Sequence, residues 1–124
     1  MGHKILLIDD EDDIRTIAEM SLGTVGGFEV VLAENGRRGV ALALSEKPDA
    51  ILLDVMMPGM DGPTTLANIR SKSEARGIPI IFMTAKIQAK EREAYLALGA
   101  AGVIPKPFDP MTLATDIKAI LGWT

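Results

Sequence analysis

Five polar residues stand where apolar runs stop. Asp9 and Asp10 follow the run at 4–8, Asp54 follows 50–53, Thr84 follows 78–83, and Lys106 follows 101–104 after Pro105. Three carboxylates brought together repel one another and resist ionisation unless a cation joins them. Oxygen donors without thiol or imidazole suit a hard divalent ion, Mg2+ foremost. A carboxylate held beside Mg2+ is a competent nucleophile toward a phosphoryl group, and Asp54 is the expected one, giving an acyl phosphate. The Thr84 hydroxyl, with the small Ala85 beside it, leaves space for that group and donates to one of its oxygens. Lys106, flanked by Pro105 and Pro107, lies in a stiff extended segment. A lysine there serves as charge balancer or as phosphoryl ligand, and both roles need the same position. Pro107 is also a candidate for a cis peptide bond.

These residues converge only if the runs before them are parallel strands. The runs at 4–8, 29–33, 50–53, 78–83 and 101–104 are rich in Val, Ile and Leu and do not alternate with polar residues. Such runs fit parallel strands covered on both faces. Between them, Ile14, Ile17, Ala18, Ser21, Leu22 and Val25 recur at the spacing of one helix face. Asp109 as N-cap and Pro110 in the first turn open a last helix carrying Leu113, Ile117, Ile120 and Leu121. The expected class is α/β: a doubly wound, five-stranded parallel sheet of order 2-1-3-4-5 with helices on both faces, flavodoxin-like. That order sets strands one and three side by side at the switch point, so Asp9, Asp10 and Asp54 become neighbours. The prolines around Lys106 suit strand five as an edge. A nucleotide-binding version of the fold is excluded at the first turn. A phosphate there needs glycines, and the acids at 9–13 would repel it.

Other charged and sulfur-bearing residues have plainer readings. Asp12 and Asp13 complement the dipole of the first helix. An EF-hand built on Asp9, Glu11 and Asp13 fails because Ile14 stands where glycine is required. Arg37, Arg38, Lys86, Lys90 and Arg92 read as solvated helix faces. Met56, Met57, Met60 and Met83 read as packing residues, and His3 is given no role. With 13 basic and 17 acidic residues the net charge is −4, which argues against a nucleic-acid partner. Five of those acids lie at 9–13, so the excess is one local feature at the mouth of the cation site. Cysteine is absent, which excludes disulfides and thiolate chemistry and suits a reducing cytoplasm. The longest mostly apolar uncharged stretch, 94–104, is too short for a membrane helix. The expectation is one cytoplasmic domain over 1–124, with no output domain and no membrane contact.

Four motifs, each at a strand end, resemble the receiver domain of two-component response regulators, chemotaxis regulators included. They are Leu7-Ile8-Asp9-Asp10-Glu11, the segment from Asp54 through Met57-Pro58-Gly59 to Asp61-Gly62, Met83-Thr84-Ala85, and Lys106-Pro107-Phe108. The resemblance runs from Lys4 to about Leu121. It implies that Asp54 accepts a phosphoryl group from a phosphohistidine on a sensor histidine kinase or a histidine phosphotransfer protein. It implies that Asp10 and Asp54 ligate Mg2+ directly, with Asp9 acting through water and the Met56 carbonyl adding a ligand. Thr84 and Lys106 would bind the phosphoryl oxygens. The family then signals to a downstream protein through its fourth helix, fifth strand and fifth helix, as a monomer or weak homodimer, and slowly hydrolyses its own aspartyl phosphate. One departure stands out: Val103 occupies a position where many members carry an aromatic switch residue. Met56 and Lys86 flank the site and are placed to govern water access. A phosphatase of the haloacid-dehalogenase kind is the rival enzyme reading. It needs a second acid two residues after the nucleophile, where this chain has Met56.

Overall fold

The computed structural model describes residues 2–85 and 87–123. Five parallel strands, β1 (Lys4–Ile8), β2 (Glu29–Ala33), β3 (Ala50–Asp54), β4 (Ile80–Thr84) and β5 (Gly102–Pro105), form one sheet in the order β2-β1-β3-β4-β5. Five helices connect and follow them: α1 (Asp12–Met20), α2 (Gly36–Glu46), α3 (Gly62–Arg70), α4 (Ala89–Ala97) and α5 (Leu113–Leu121). The expected topology and the edge position of β5 are both present.

Successive strand residues point to opposite faces, and here both faces are dry. Leu6, Ile8, Ile51, Leu53, Ile80, Phe82 and Val103 pack with Leu42 and Ala43 of α2 and Leu66 and Ile69 of α3. Ile5, Leu7, Leu52, Ile81, Met83 and Ile104 pack with Ala18 of α1, Leu22, and Leu113, Ala114 and Ile117 of α5. The unbroken apolar runs of the sequence are therefore two interleaved cores. α4 is the exception, with no fully buried residue. It is anchored by Ile87 just before it and by the Tyr95 ring, tilted against Phe82 at 5.2 Å. At the N-terminal edge of the sheet, His3 stacks on Trp123 at 3.8 Å, and both rings meet Phe28 edge-on.

Several boundaries differ from the sequence expectation. β3 extends through Asp54, β4 starts at Ile80 after the donor-less Pro79, and β5 lies one residue later at each end. α5 starts at Leu113 rather than at Pro110 behind an Asp109 cap. Asp109 instead opens a separate turn, its carboxylate accepting from the Met111 amide at 2.9 Å, and Thr112 (φ −115°, ψ −6°) stands between that turn and the helix. α1 passes into a π-helical turn over Ser21–Val25. The extra residue in that turn rotates Val25 outward to 49% exposure, and Ile17, on the flank of the stripe, is 42% exposed. Ala18, Ser21 and Leu22 are buried as expected.

α2 and α3 have side-chain caps. Asn35 accepts from the Arg38 amide and Asp61 from the Thr64 amide, both at 2.8 Å. Gly62 opens α3 against the end of β3, its amide donating to the Val55 carbonyl at 2.8 Å. A Cβ there would lie 2.6 Å from the Asp54 carbonyl oxygen and 2.7 Å from the Val55 Cα. Backbone does not yield as a side-chain tip does, so Gly62→Ala is expected to destabilise the domain by about 1–3 kcal/mol in urea unfolding. An unchanged midpoint would show that α3 shifts freely.

Candidate functional site

The C-terminal ends of β1, β3, β4 and β5 bring the expected residues into one cleft. Glu11, Ile14, Asp54, Met56, Thr84, Ala85, Lys106 and Pro107 line it. Carboxylate oxygens of Asp9, Asp10, Glu11 and Asp54 all lie within 4.8 Å of one another. The Lys106 ammonium bridges three of these acids, at 3.1 Å from Asp9 Oδ2, 3.1 Å from Glu11 Oε1 and 3.4 Å from Asp54 Oδ1. Asp9 and Asp54 are buried, as is Thr84, which ends β4 and accepts the Lys106 amide on its carbonyl at 3.0 Å. The Lys106–Pro107 peptide bond is cis.

Local folding explains each placement. Asp9 leaves β1 and turns back on itself, Oδ1 accepting from the Glu11 amide at 2.9 Å. Arg15 of α1 donates to the Asp9 carbonyl at 2.7 Å and also pairs with Asp12. Asp54 is the last residue of β3, in register with Met83, and its Oδ1 accepts from the Met56 amide at 3.4 Å. Its Oδ2 is buried and has no hydrogen-bond partner among the described residues.

Among the described residues, four acids surround one ammonium in the cleft. Burial, then the neighbouring Asp9 charge, raise the Asp54 pKa to about 7, with Lys106 opposing. Burial also raises Asp9, against the Glu11 amide and Lys106. Burial disfavours the Lys106 charge, but Asp9, Asp54 and Glu11 outweigh it and hold its pKa above the usual value. An orphaned buried oxygen and an all-oxygen donor set are what a hard cation would satisfy. These residues fit a divalent metal ion.

Asp9, Asp10, Asp54, Thr84 and Lys106 thus share one edge as expected. Glu11 joins both the carboxylate cluster and the lysine bridge, a role that its motif position hinted at and the EF-hand test obscured. Arg15 was also missed, because its target is a backbone carbonyl. Asp12 and Asp13 are exposed in the first turn of α1, as a dipole-facing role requires. Met57 and Met83 are core residues, but Met56 is 68% exposed and is not packing. Arg37, Arg38, Lys90 and Arg92 are exposed, and Lys86 lies outside the described residues.

Residues 5–118 match the family model described as the response regulator receiver domain. A probable transcriptional regulator, ycf27, of Guillardia theta is 41% identical over 96% of this chain and 45% of its own length. The chain spans about half the length of the curated relatives it matches, 45% in that case and 51% for the response regulator MprA of Mycolicibacterium vanbaalenii. Among solved structures, chemotaxis response regulator CheY4 of Vibrio cholerae superposes with a TM-score of 0.90 at 32% identity, covering 97% of this chain and 99% of that one. The receiver domain of sensor histidine kinase PA1611 from Pseudomonas aeruginosa gives 0.85 at 32% identity, covering 98% and 99%. It has a magnesium ion coordinated in its active-site cleft. With this coverage and this strand order, the chain belongs to the response regulator receiver domain family.

Proposed function

We propose that this domain is a phosphoryl-accepting switch in which Asp54 takes a phosphoryl group from a phosphohistidine of a sensor kinase or phosphotransfer protein. The observation that carries the reading is the Asp54 carboxylate itself. It is buried at a strand end, has one oxygen without a hydrogen-bond partner among the described residues, and lies among Asp9, Asp10, Glu11 and Lys106. A carboxylate oxygen of Asp54 attacks phosphorus, the P–N bond breaks, and its electron pair stays on the donor imidazole. The product is an acyl phosphate on Asp54. Asp10, Asp54 and the Met56 carbonyl would hold Mg2+, with Asp9 acting through water, and the ion would supply neutralisation of charge on the transferring oxygens. Lys106 and Thr84 take up the phosphoryl oxygens. Attack of water on phosphorus later returns the carboxylate and inorganic phosphate, so the domain resets slowly rather than turning over an external substrate.

The output side of the proposal is the face of α4, β5 and α5. α4 is anchored through Ile87 and Tyr95, and Leu96 and Leu98 are exposed at its end. Val103 is buried and has no ring to swing, so the shallow seating of α4 supports a shift of that helix as the movable part. We take 1–124 to act as one unit, monomeric or weakly dimeric, in the cytoplasm. Among the described residues no helix is long and apolar enough to cross a membrane.

Incubation with Mg2+ and acetyl phosphate is expected to add about 80 Da, one phosphoryl group, to the intact chain. Failure to label under these conditions would count against the switch. Multiple turnover on a small phosphomonoester would support the rival phosphatase instead.

A further inference from the structure

We propose that Ser21 is a positioning residue for Lys106, holding the lysine's segment, through a part-buried hydrogen bond, to the π-helical turn that continues α1. The proposal rests on the reading of Asp54 as phosphoacceptor. Ser21 is 2% exposed, and its hydroxyl donates to the Pro110 carbonyl, 89 residues away in sequence. A serine in a helix ordinarily returns its hydroxyl to a carbonyl one turn back. This one reaches instead into the segment that carries Lys106.

The backbone around Ser21 is shaped for that reach. The helix widens into its π-helical turn at this residue, and the Gly26 amide closes the turn on the Ser21 carbonyl at 3.0 Å. A Cβ on Gly26 would lie 2.6 Å from the Ala114 Cβ and 2.7 Å from the Leu22 carbonyl, so the turn is wedged against α5 without slack. π-helical turns are rare and are found frequently at functional sites.

The segment between β5 and α5 is therefore fixed at both ends. The Lys106 amide is bound to the Thr84 carbonyl and the Pro110 carbonyl to Ser21, while Phe108 packs on the core between them. On the same helix, Arg15 holds the Asp9 carbonyl. α1 and the π-helical turn that continues it thus grip both walls of the cleft, the acidic turn through Arg15 and the lysine segment through Ser21. A flexible ammonium that must meet Asp9, Glu11 and Asp54 at once depends on where its backbone is held.

The test is a double-mutant cycle on the rate of acetyl phosphate labelling with Mg2+, followed by intact mass. Ser21→Ala is expected to slow labelling about tenfold, the order of loss that a small misplacement of a reacting group produces. In a Lys106→Met background the same change is expected to alter the rate less than twofold, because Ser21 acts through the lysine. Equal rates for wild type and Ser21→Ala overturn the proposal. A tenfold loss that persists in full without Lys106 also overturns it, since Ser21 would then be merely structural. If Ser21→Ala does not fold, Ser21→Cys, which keeps the volume and weakens the donor, enters the same cycle under the same criteria. A wild type that takes no label overturns the phosphoacceptor reading and this proposal with it. A labelled wild type with an unaffected Ser21 variant overturns this proposal alone.

Discussion

Asp54→Asn is expected to abolish phosphoryl labelling, lowering the rate at least about a thousandfold. The substitution keeps the shape of the side chain, so β3 and its register with β4 are undisturbed. The amide oxygen keeps its lone pairs but carries no negative charge, so it is far too weak a nucleophile to attack phosphorus. It also removes one of the four acids that converge on the cleft. In intact-mass measurements with acetyl phosphate and Mg2+, the added mass of about 80 Da should appear on wild type and be absent from the variant. Asp9 and Asp10 are the internal controls, lying in the same cluster and offering the same functional group. Label that persists on Asp54→Asn would move the acceptor to one of them and sink the assignment.

The same substitution should make the metal-free protein more stable at alkaline pH. In the folded chain the Asp54 pKa is raised to about 7, chiefly by burial and then by Asp9, against an ordinary value of 3.8. Between those values the folded state keeps a proton that the unfolded state has lost, so stability falls as pH rises. The contribution is fully present below about pH 4 and is gone above about pH 7. Its size is on the order of 4 kcal/mol at the usual conversion of pKa difference to free energy. Asp9 is raised as well and acts in the same direction. Urea unfolding in the presence of a chelator should therefore show wild type weakening from pH 5 to pH 8. Asp54→Asn should keep only the shallower slope that Asp9 leaves and be stronger than wild type at pH 8. Added Mg2+ should restore wild type at pH 8 and do little for the variant. Parallel pH profiles for the two proteins would mean that Asp54 is ionised from the start and the cluster is not frustrated.

How much of this was legible in sequence depended on the range of the interaction concerned. The strands and their order were readable because runs such as Ile5-Leu6-Leu7-Ile8 are dry on both faces, and that pattern is local. The site followed, since parallel strands must deliver Asp9, Asp54, Thr84 and Lys106 to one edge. Features set by packing between distant segments were not readable. The Asp109-Pro110 pair carries a good helix-start signal, yet Thr112 breaks the helix there and α5 begins three residues beyond Pro110. The π-helical turn leaves no local mark, because Gly26 is shaped by its approach to Ala114. Met56 looked like packing by type, but β3 ends at Asp54 and releases it to the surface. Glu11 and Arg15 act on a lysine and on a carbonyl that only the folded chain supplies.

The ring stack of His3 on Trp123 has a consequence for how this molecule is observed. The chain's only tryptophan, Trp123, stacks on His3 just ahead of the start of β1, and the carboxylates lie past the end of that strand. The five residues of that strand put about 17 Å between the indole and the chemistry. Indole emission in this domain is thus a gauge of whether the two chain ends remain clasped, and it is insulated from cation or phosphoryl occupancy. The fold keeps its optical reporter and its switch at opposite poles.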